Sequence, residues 1–168
     1  YSMYPAATSV STCLNCLAGK YSDVPGASSN ETCQSCDAGK YSIMIGSYSI
    51  SFCLDCPRGT WSAAIGAAYP GACNLCPAGT YSSALAANDP SACLLCDAGK
   101  FSGAPGMPNS SFCFNCPLGK FSTVEGSTSM ETCRVCPQMP LHQDSFPRRV
   151  LHKPVAQLTH HKKVFHDC

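Results

Sequence analysis

The sequence is poor in charge and contains no long apolar stretch. Charged residues make up 12% of the chain, and the formal net charge is +1. This balance excludes the strongly basic surface that nucleic acids and anionic membranes attract. No apolar run in the sequence approaches the roughly 18 residues that a membrane-spanning helix needs. We therefore expect no nucleic-acid partner and no membrane span in this chain.

Long aliphatic side chains at helical or strand spacing are also scarce, so a single large hydrophobic core is not expected. The chain instead contains 15 cysteines, 13 glycines and 13 prolines in 168 residues. A cysteine share of about 9% approaches the level that is typical of disulfide scaffolds. The sequence begins with no initiator Met and no basic or hydrophobic leader, so we expect any signal peptide to lie outside it.

The cysteines form an internal repeat. They fall in C-x-x-C pairs, and the step between successive pairs is 20 residues throughout, without an insertion. Such a constant period indicates repeated structural units. The pairs are Cys13/Cys16, Cys33/Cys36, Cys53/Cys56, Cys73/Cys76, Cys93/Cys96, Cys113/Cys116 and Cys133/Cys136.

Other positions repeat together with the cysteines. In six units a glycine follows the second cysteine by three residues, and Lys or Thr, an aromatic residue and Ser come next, as in Gly59-Thr60-Trp61-Ser62. A second glycine lies five residues past the aromatic residue, with Ala86 as the exception. The glycines suit positions with positive φ or close chain approach, as in tight turns. We expect the aromatic residue to cover the adjacent disulfide, and Ser and Thr to bond local backbone groups.

Twenty residues accommodate two short strands and two turns, but not a helix with its connections. We therefore predict a small disulfide-rich fold, mostly irregular with short β-hairpins, arranged as an elongated solenoid-like rod of 20-residue repeats. The repeats cover residues 1–136 in about seven units. Tyr1-Ser2 aligns with Tyr21-Ser22, so the first unit is truncated and the chain is expected to be a piece of a longer array.

Residues 137–168 form a tail of different composition. Glycine is absent, all five histidines of the chain lie here, and basic side chains outnumber acidic ones. Three roles stay open for the tail: a basic arm that docks on the acidic repeats of the next molecule, a metal or polyanion site, and an extended tail tethered by Cys168. The histidines are His142, His152, His160, His161 and His166.

Three pairing schemes are compatible with the cysteine spacing. Each second cysteine can bond the first cysteine of the next pair, each C-x-x-C can close on itself, or equivalent cysteines of neighbouring units can join. The first scheme closes the loop that carries the glycine, the aromatic residue and the serine, and a loop of this size is worth about 3 kcal/mol. It also leaves Cys136 for Cys168, and leaves Cys13 unpaired or bonded to a partner outside the chain.

Zinc ligation is a further possibility, because the spacing C-x2-C-x16-C-x2-C lies in the range of zinc ribbons. Seven pairs, however, cannot be grouped into four-cysteine sites without a remainder, and the repeats contain no histidine. We therefore assign no metal ligand and no cofactor.

Residues 56–62 (CPRGTWS) and 76–82 (CPAGTYS) resemble the cysteine-rich modules of tumour-necrosis-factor receptors. They are more similar to the ephrin-receptor-like repeats that form long arrays in extracellular proteins. The resemblance covers residues 1–136 and implies an elongated rod with the first pairing scheme. The chain departs from the receptor modules in its rigid period and in lacking their additional cysteines, which disfavours receptor-type ligand binding. The implied disulfides are Cys16–Cys33, Cys36–Cys53, Cys56–Cys73, Cys76–Cys93, Cys96–Cys113, Cys116–Cys133 and Cys136–Cys168.

The sequence favours no enzymatic activity. A redox C-x-x-C enzyme needs an activated thiolate, usually in a βαβ setting, and no such unit is predicted. No set of His, Ser and carboxylate residues recurs either. The sequons at Asn30 and Asn109 are candidate glycosylation sites, and together with the cysteines they indicate a secreted or cell-surface location outside the cell.

We interpret the chain as an extracellular structural protein, a building block of a fibre (filament), coat or cell-surface appendage that self-associates or binds other extracellular proteins. The alternative is the stalk or ligand-binding ectodomain of a receptor or adhesin. A binding epitope would give one unit a distinctive loop. The variable segments are small, rich in Ser, Ala and Pro and without aromatic clusters, which favours the structural role; they are residues 23–32, 43–52, 63–72, 83–92, 103–112 and 123–132.

Overall fold

The structure, a computed structural model, describes residues 14–25, 27 and 29–137. Its regular elements are very short, because every strand in this part of the chain has two residues. The strands are β1 (Lys20–Tyr21), β2 (Gln34–Ser35), β3 (Lys40–Tyr41), β4 (Leu54–Asp55), β5 (Thr60–Trp61), β6 (Asn74–Leu75), β7 (Thr80–Tyr81), β8 (Leu94–Leu95), β9 (Lys100–Phe101), β10 (Phe114–Asn115), β11 (Lys120–Phe121) and β12 (Arg134–Val135).

The described part contains six units of 20 residues, of which unit 1 lacks residues 26 and 28. We define a unit as running from the second cysteine of one pair to the residue before the second cysteine of the next. In each unit the two strands form one antiparallel hairpin, as β5 does with β6 through the pairs Thr60↔Leu75 and Trp61↔Asn74. The predicted disulfide-rich fold with short hairpins is therefore confirmed. Units 1 to 6 are residues 16–35, 36–55, 56–75, 76–95, 96–115 and 116–135.

A 3-10 helix of three residues precedes the second strand of each unit. Most of these helices begin after a Ser, Asp or Asn whose side-chain oxygen accepts a hydrogen bond from the amide two residues on, which is the usual N-cap preference. In unit 3 the cap residue Tyr69 makes no such bond, and Pro70 opens the helix instead. The helices are Asn30–Thr32, Ile50–Phe52, Pro70–Ala72, Pro90–Ala92, Ser110–Phe112 and Met130–Thr132.

One disulfide closes each unit by joining its first residue to the cysteine at the end of the 3-10 helix. Every bridge spans 17 residues of sequence, and the bonded Cα atoms lie 5.5–5.7 Å apart. The bridges are those of the first pairing scheme: Cys16–Cys33, Cys36–Cys53, Cys56–Cys73, Cys76–Cys93, Cys96–Cys113 and Cys116–Cys133.

The buried interior consists mainly of cysteines and small residues. The repeated aromatic residue belongs to it only in unit 1, where Tyr21 packs with Cys36 and Cys53. Those two cysteines form the disulfide of unit 2, so Tyr21 of unit 1 covers the bridge of the following unit. The other repeated aromatics are half-buried. No helix in the described residues is long and apolar enough to cross a membrane.

Candidate functional site

The contacts between successive units are the most regular feature of the molecule. Four backbone hydrogen bonds join each unit to the next at the first four junctions, and three do so at the fifth. At each four-bond junction, three of the donors and three of the acceptors lie in the glycine–aromatic–serine motif or at the cysteine before it. Between units 3 and 4 the bonds run from Gly59 N–H to Ser82 C=O (2.8 Å), Ser62 N–H to Ala87 C=O (2.9 Å), Ala86 N–H to Cys56 C=O (3.0 Å) and Cys76 N–H to Gly59 C=O (2.8 Å).

The repeated serine lies inside this junction. Ser62 is 1% exposed, its hydroxyl oxygen accepts a hydrogen bond from the Ala64 amide at 3.3 Å, and its carbonyl accepts one from the Gly39 amide of the preceding unit. No buried side-chain polar atom lacks a hydrogen-bond partner in the described part of the chain. The serine therefore has the structural role that the sequence predicts, since a larger residue would separate the units.

Units also touch their second neighbours. A Cβ atom added to Gly59 of unit 3 would lie 2.2 Å from the backbone oxygen of Gly106 in unit 5. Gly19, Gly39 and Gly79 meet the backbone two units ahead at 2.1 Å in the same way. Because real Cβ atoms do not approach so closely, only glycine permits this contact. The sequence predicts positive φ or close chain approach at these glycines, but it does not predict that the approaching backbone belongs to the second neighbour.

Ala86 stands where the other units have their second glycine, and it adopts a backbone conformation that suits glycine. It has φ = +51°, the only positive value of a residue other than glycine in the described chain. The equivalent Gly46, Gly66, Gly106 and Gly126 have φ between +66° and +75°. An alanine in this left-handed region is strained, because its Cβ crowds the following carbonyl oxygen.

The loop of unit 2 differs from the other loops. Ile43, Ile45, Tyr48 and Ile50 are 61%, 62%, 73% and 52% exposed, and the rings of Tyr48 and Phe52 pack edge to face with centroids 5.0 Å apart. The interpretation that the variable segments have no aromatic cluster was therefore wrong for residues 43–52. The chain separates Tyr48 and Phe52 by four residues, and only the 3-10 helix beginning at Ile50 brings their rings together.

The two predicted glycosylation sites lie at 3-10 helices of different units. Asn30 is the first residue of one helix, and Asn109 caps another with its side-chain oxygen 2.9 Å from the Ser111 amide. Both side chains are exposed, so each is accessible to a modifying enzyme. Attachment of a glycan stays a prediction.

Asp89 has the one resolved pKa shift of the described residues. The hydroxyl and the amide of Ser91 donate hydrogen bonds to its carboxylate and lower its pKa from the ordinary 3.8. The hydrogen bond from the Ser91 amide to the Asp89 carboxylate is 2.8 Å long. The shift reflects the capping of the 3-10 helix Pro90–Ala92, and nothing around it resembles a catalytic acid or base.

The twelve cysteines of the six described bridges cannot bind zinc, because ligation requires the thiolate. Among the described residues no group of three or more His, Cys, Asp or Glu side chains could hold a metal ion. Cys136 is also disulfide-bonded. Its predicted partner Cys168 lies outside the described residues, as do Cys13 and the five histidines, so the Cys136–Cys168 bridge and the three roles of the tail stay predictions.

Residues 46–93 match the family described as tyrosine-protein kinase ephrin type A/B receptor-like. The matched segment spans the bridges Cys56–Cys73 and Cys76–Cys93 and the junction between their units. This is a family of receptor-ectodomain type and not an enzyme family. No curated protein matches the chain.

Proposed function

Since the chain carries ephrin-receptor-like cysteine-rich repeats, we propose that it is an extracellular structural array, the building block of a fibre, coat or cell-surface appendage. The observation that carries the proposal is the unbroken set of backbone hydrogen bonds through five junctions. Repeats that bond only to near neighbours extend in one direction, so their stability and shape follow from the junctions. We take residues 1–136 as the array and residues 137–168 as a separate tail.

The same chemistry supports an extracellular location. Disulfides persist in secreted proteins and are reduced in the cytosol, and each described unit depends on one bridge for closure. Units of 20 residues are too small to bury a core of their own. Glycans on Asn30 and Asn109 would fit this location, and the accessibility of both side chains supports their attachment.

Exposed apolar side chains support association with another protein. Ile45, Ile65 and Leu85 occupy the same position in units 2, 3 and 4, and they are 62%, 73% and 56% exposed. A row of apolar side chains repeated at the unit spacing fits a partner of the same period, which another copy of the array provides.

Electron microscopy of the native chain tests the structural proposal. We expect the protein to form regular filaments or sheets of uniform width. The variant that carries Ile45→Ser, Ile65→Ser and Leu85→Ser together lacks the apolar row and is expected to form no filaments or sheets. The control variant replaces two other exposed leucines with Ser, namely Leu14 before unit 1 and Leu17 within it. Isolated particles at every protein concentration would contradict a building-block role.

A second candidate, a ligand-binding ectodomain, is supported by the distinctive loop of unit 2. Its exposed Ile43, Ile45, Tyr48 and Ile50 form the kind of apolar surface that marks protein-binding sites. Under this alternative the binding of labelled protein to intact cells is competed by the unlabelled wild type but not by Tyr48→Ser. Tyr69→Ser is the matched control, because Tyr69 is equally an exposed tyrosine in the next unit (61%).

A further inference from the structure

A groove lies at the C-terminal end of unit 6, beside Ser122, Val124, Glu131 and Arg134, with a volume of ≈ 250 Å³. The equivalent surface of unit 5 is covered by unit 6. There the Ser102 amide donates to the Ser127 carbonyl at 2.9 Å, and Phe101 pairs with Ser127 in a parallel bridge. The groove is therefore the place at which a further segment of chain would join the array.

Unit 6 has the same serine amide that joins each earlier unit to the next one. The Ser22, Ser42, Ser62, Ser82 and Ser102 amides all bond a carbonyl of the following unit. No carbonyl of the described residues accepts from the Ser122 amide, although Ser122 is 2% exposed. A buried amide without a partner costs about 1–3 kcal/mol, so this end of the array favours a covering segment.

We propose that residues 138–168 of the same chain fill this groove and cap the array. In unit 6, Ser127 reaches its place against unit 5 eleven residues after Cys116 (127 − 116 = 11). The same spacing counted from Cys136 arrives at Pro147, so the tail is long enough to reach the Ser122 amide. A segment tethered in this way acts at an effective concentration on the order of millimolar, which a separate molecule rarely matches.

Cys136 provides an independent observation. It is disulfide-bonded, and its partner is none of the twelve cysteines in the six described bridges. Two cysteines remain as possible partners. Cys13 precedes unit 1, at the other end of the array from Cys136. Cys168 ends the tail, and a bridge from Cys136 to Cys168 holds the far end of the tail beside unit 6.

The cap differs from a seventh repeat. Met139 stands at the position of the first glycine, His142 at that of the serine, Phe146 at that of the positive-φ glycine, and Lys153 at that of the closing cysteine. A phenylalanine in the left-handed region is a steric outlier. Terminal units of repeat proteins are commonly atypical, because they must end the stack and face solvent. The tail thus covers the groove and also prevents another unit from adding at this end.

Amide hydrogen exchange of the full chain tests the proposal. The amides of Ser102 and Ser122 both follow Phe, so their intrinsic exchange rates match. We expect the Ser122 amide to be protected to a degree comparable to that of Ser102, independent of protein concentration. In the full-length variant Cys136→Ser/Cys168→Ser, exchange at Ser122 is expected to become at least about tenfold faster, while Ser62 keeps its protection as the control.

Two results would overturn the proposal. An unprotected Ser122 amide in the wild type would show an open groove. Protection that rises with protein concentration, together with a doubling of mass, would assign the groove to a second copy. Peptide mapping without reduction gives an additional check, since it must recover a Cys136–Cys168 peptide and not a Cys13–Cys136 peptide.

Discussion

Units 3 and 6 each have a 17-residue disulfide loop, a two-stranded hairpin and a first glycine with positive φ. They differ in the residues that surround this glycine. Gly59 and Gly119 both have positive φ, +79° and +76°. Gly59 lies against the backbone of unit 5, whereas nothing among the described residues comes within 4 Å of a Cβ added to Gly119. The difference shows that an internal unit is held by two following units as well as by its own bridge. Unit 6 is contacted by units 4 and 5 before it, and no described residue supplies the contacts that following units make with an internal unit.

The largest effect is expected from alanine at the two glycines. Gly119→Ala should cost about 1 kcal/mol of unfolding free energy, because an alanine takes on the left-handed conformation. Gly59→Ala carries the same strain and also drives its Cβ into the Gly106 oxygen at 2.2 Å, so its cost should exceed that of Gly119→Ala by about 2 kcal/mol or more. Denaturant unfolding with the disulfides intact measures both. Equal costs would refute the second-neighbour contact.

The comparison of Ala86 with its glycine equivalents gives a smaller effect of opposite sign. Ala86→Gly should stabilise the chain by about 0.5–1 kcal/mol, since glycine adopts φ = +51° without strain. Ala84→Gly is the matched control, because Ala84 is exposed and has no positive φ, and it should leave stability unchanged or lower it. A loss of stability in Ala86→Gly, measured by thermal unfolding, would contradict strain at this position.

The smallest effect concerns the cap of unit 4. Because the pKa of Asp89 is lowered in the folded chain, its carboxylate stabilises the fold above the unfolded pKa of 3.8, and this contribution is lost as the pH falls through the folded pKa. Asp89→Asn keeps a capping oxygen, as Asn109 does in unit 5, but does not titrate. Unfolding measured from about pH 5 to pH 2 should therefore show a slightly shallower acid dependence for Asp89→Asn. Identical profiles would show that the cap contributes nothing through its charge.

The sequence predicts the local structure of each unit, because the 20-residue period fixes the positions of the cysteines, the turn glycines and the strands. Prediction fails where units meet beyond the nearest neighbour. The contact of Gly59 with Gly106 joins residues 47 positions apart (106 − 59 = 47), and it depends on the rotation from one unit to the next, which a period does not specify. For the same reason the sequence could not show that Tyr21 covers the bridge of the following unit.

The exposed cluster of unit 2 was missed for a different reason. Composition averaged over the variable segments concealed the run from Ile43 to Phe52, in which large apolar residues are mixed with Gly and Ser. Six disulfide loops of equal length can therefore differ in surface chemistry while sharing one backbone.

The central claim is that the junctions extend the units into one rod. Small-angle X-ray scattering tests it most directly, on the full chain carrying Ile45→Ser, Ile65→Ser and Leu85→Ser, which is expected not to assemble. A compact globular chain of this length would have a radius of gyration of about 15 Å. We expect a clearly larger value and the scattering profile of a rigid rod, which is lost when the disulfides are reduced. A radius near that of a compact globule, unchanged by reduction, would contradict the account.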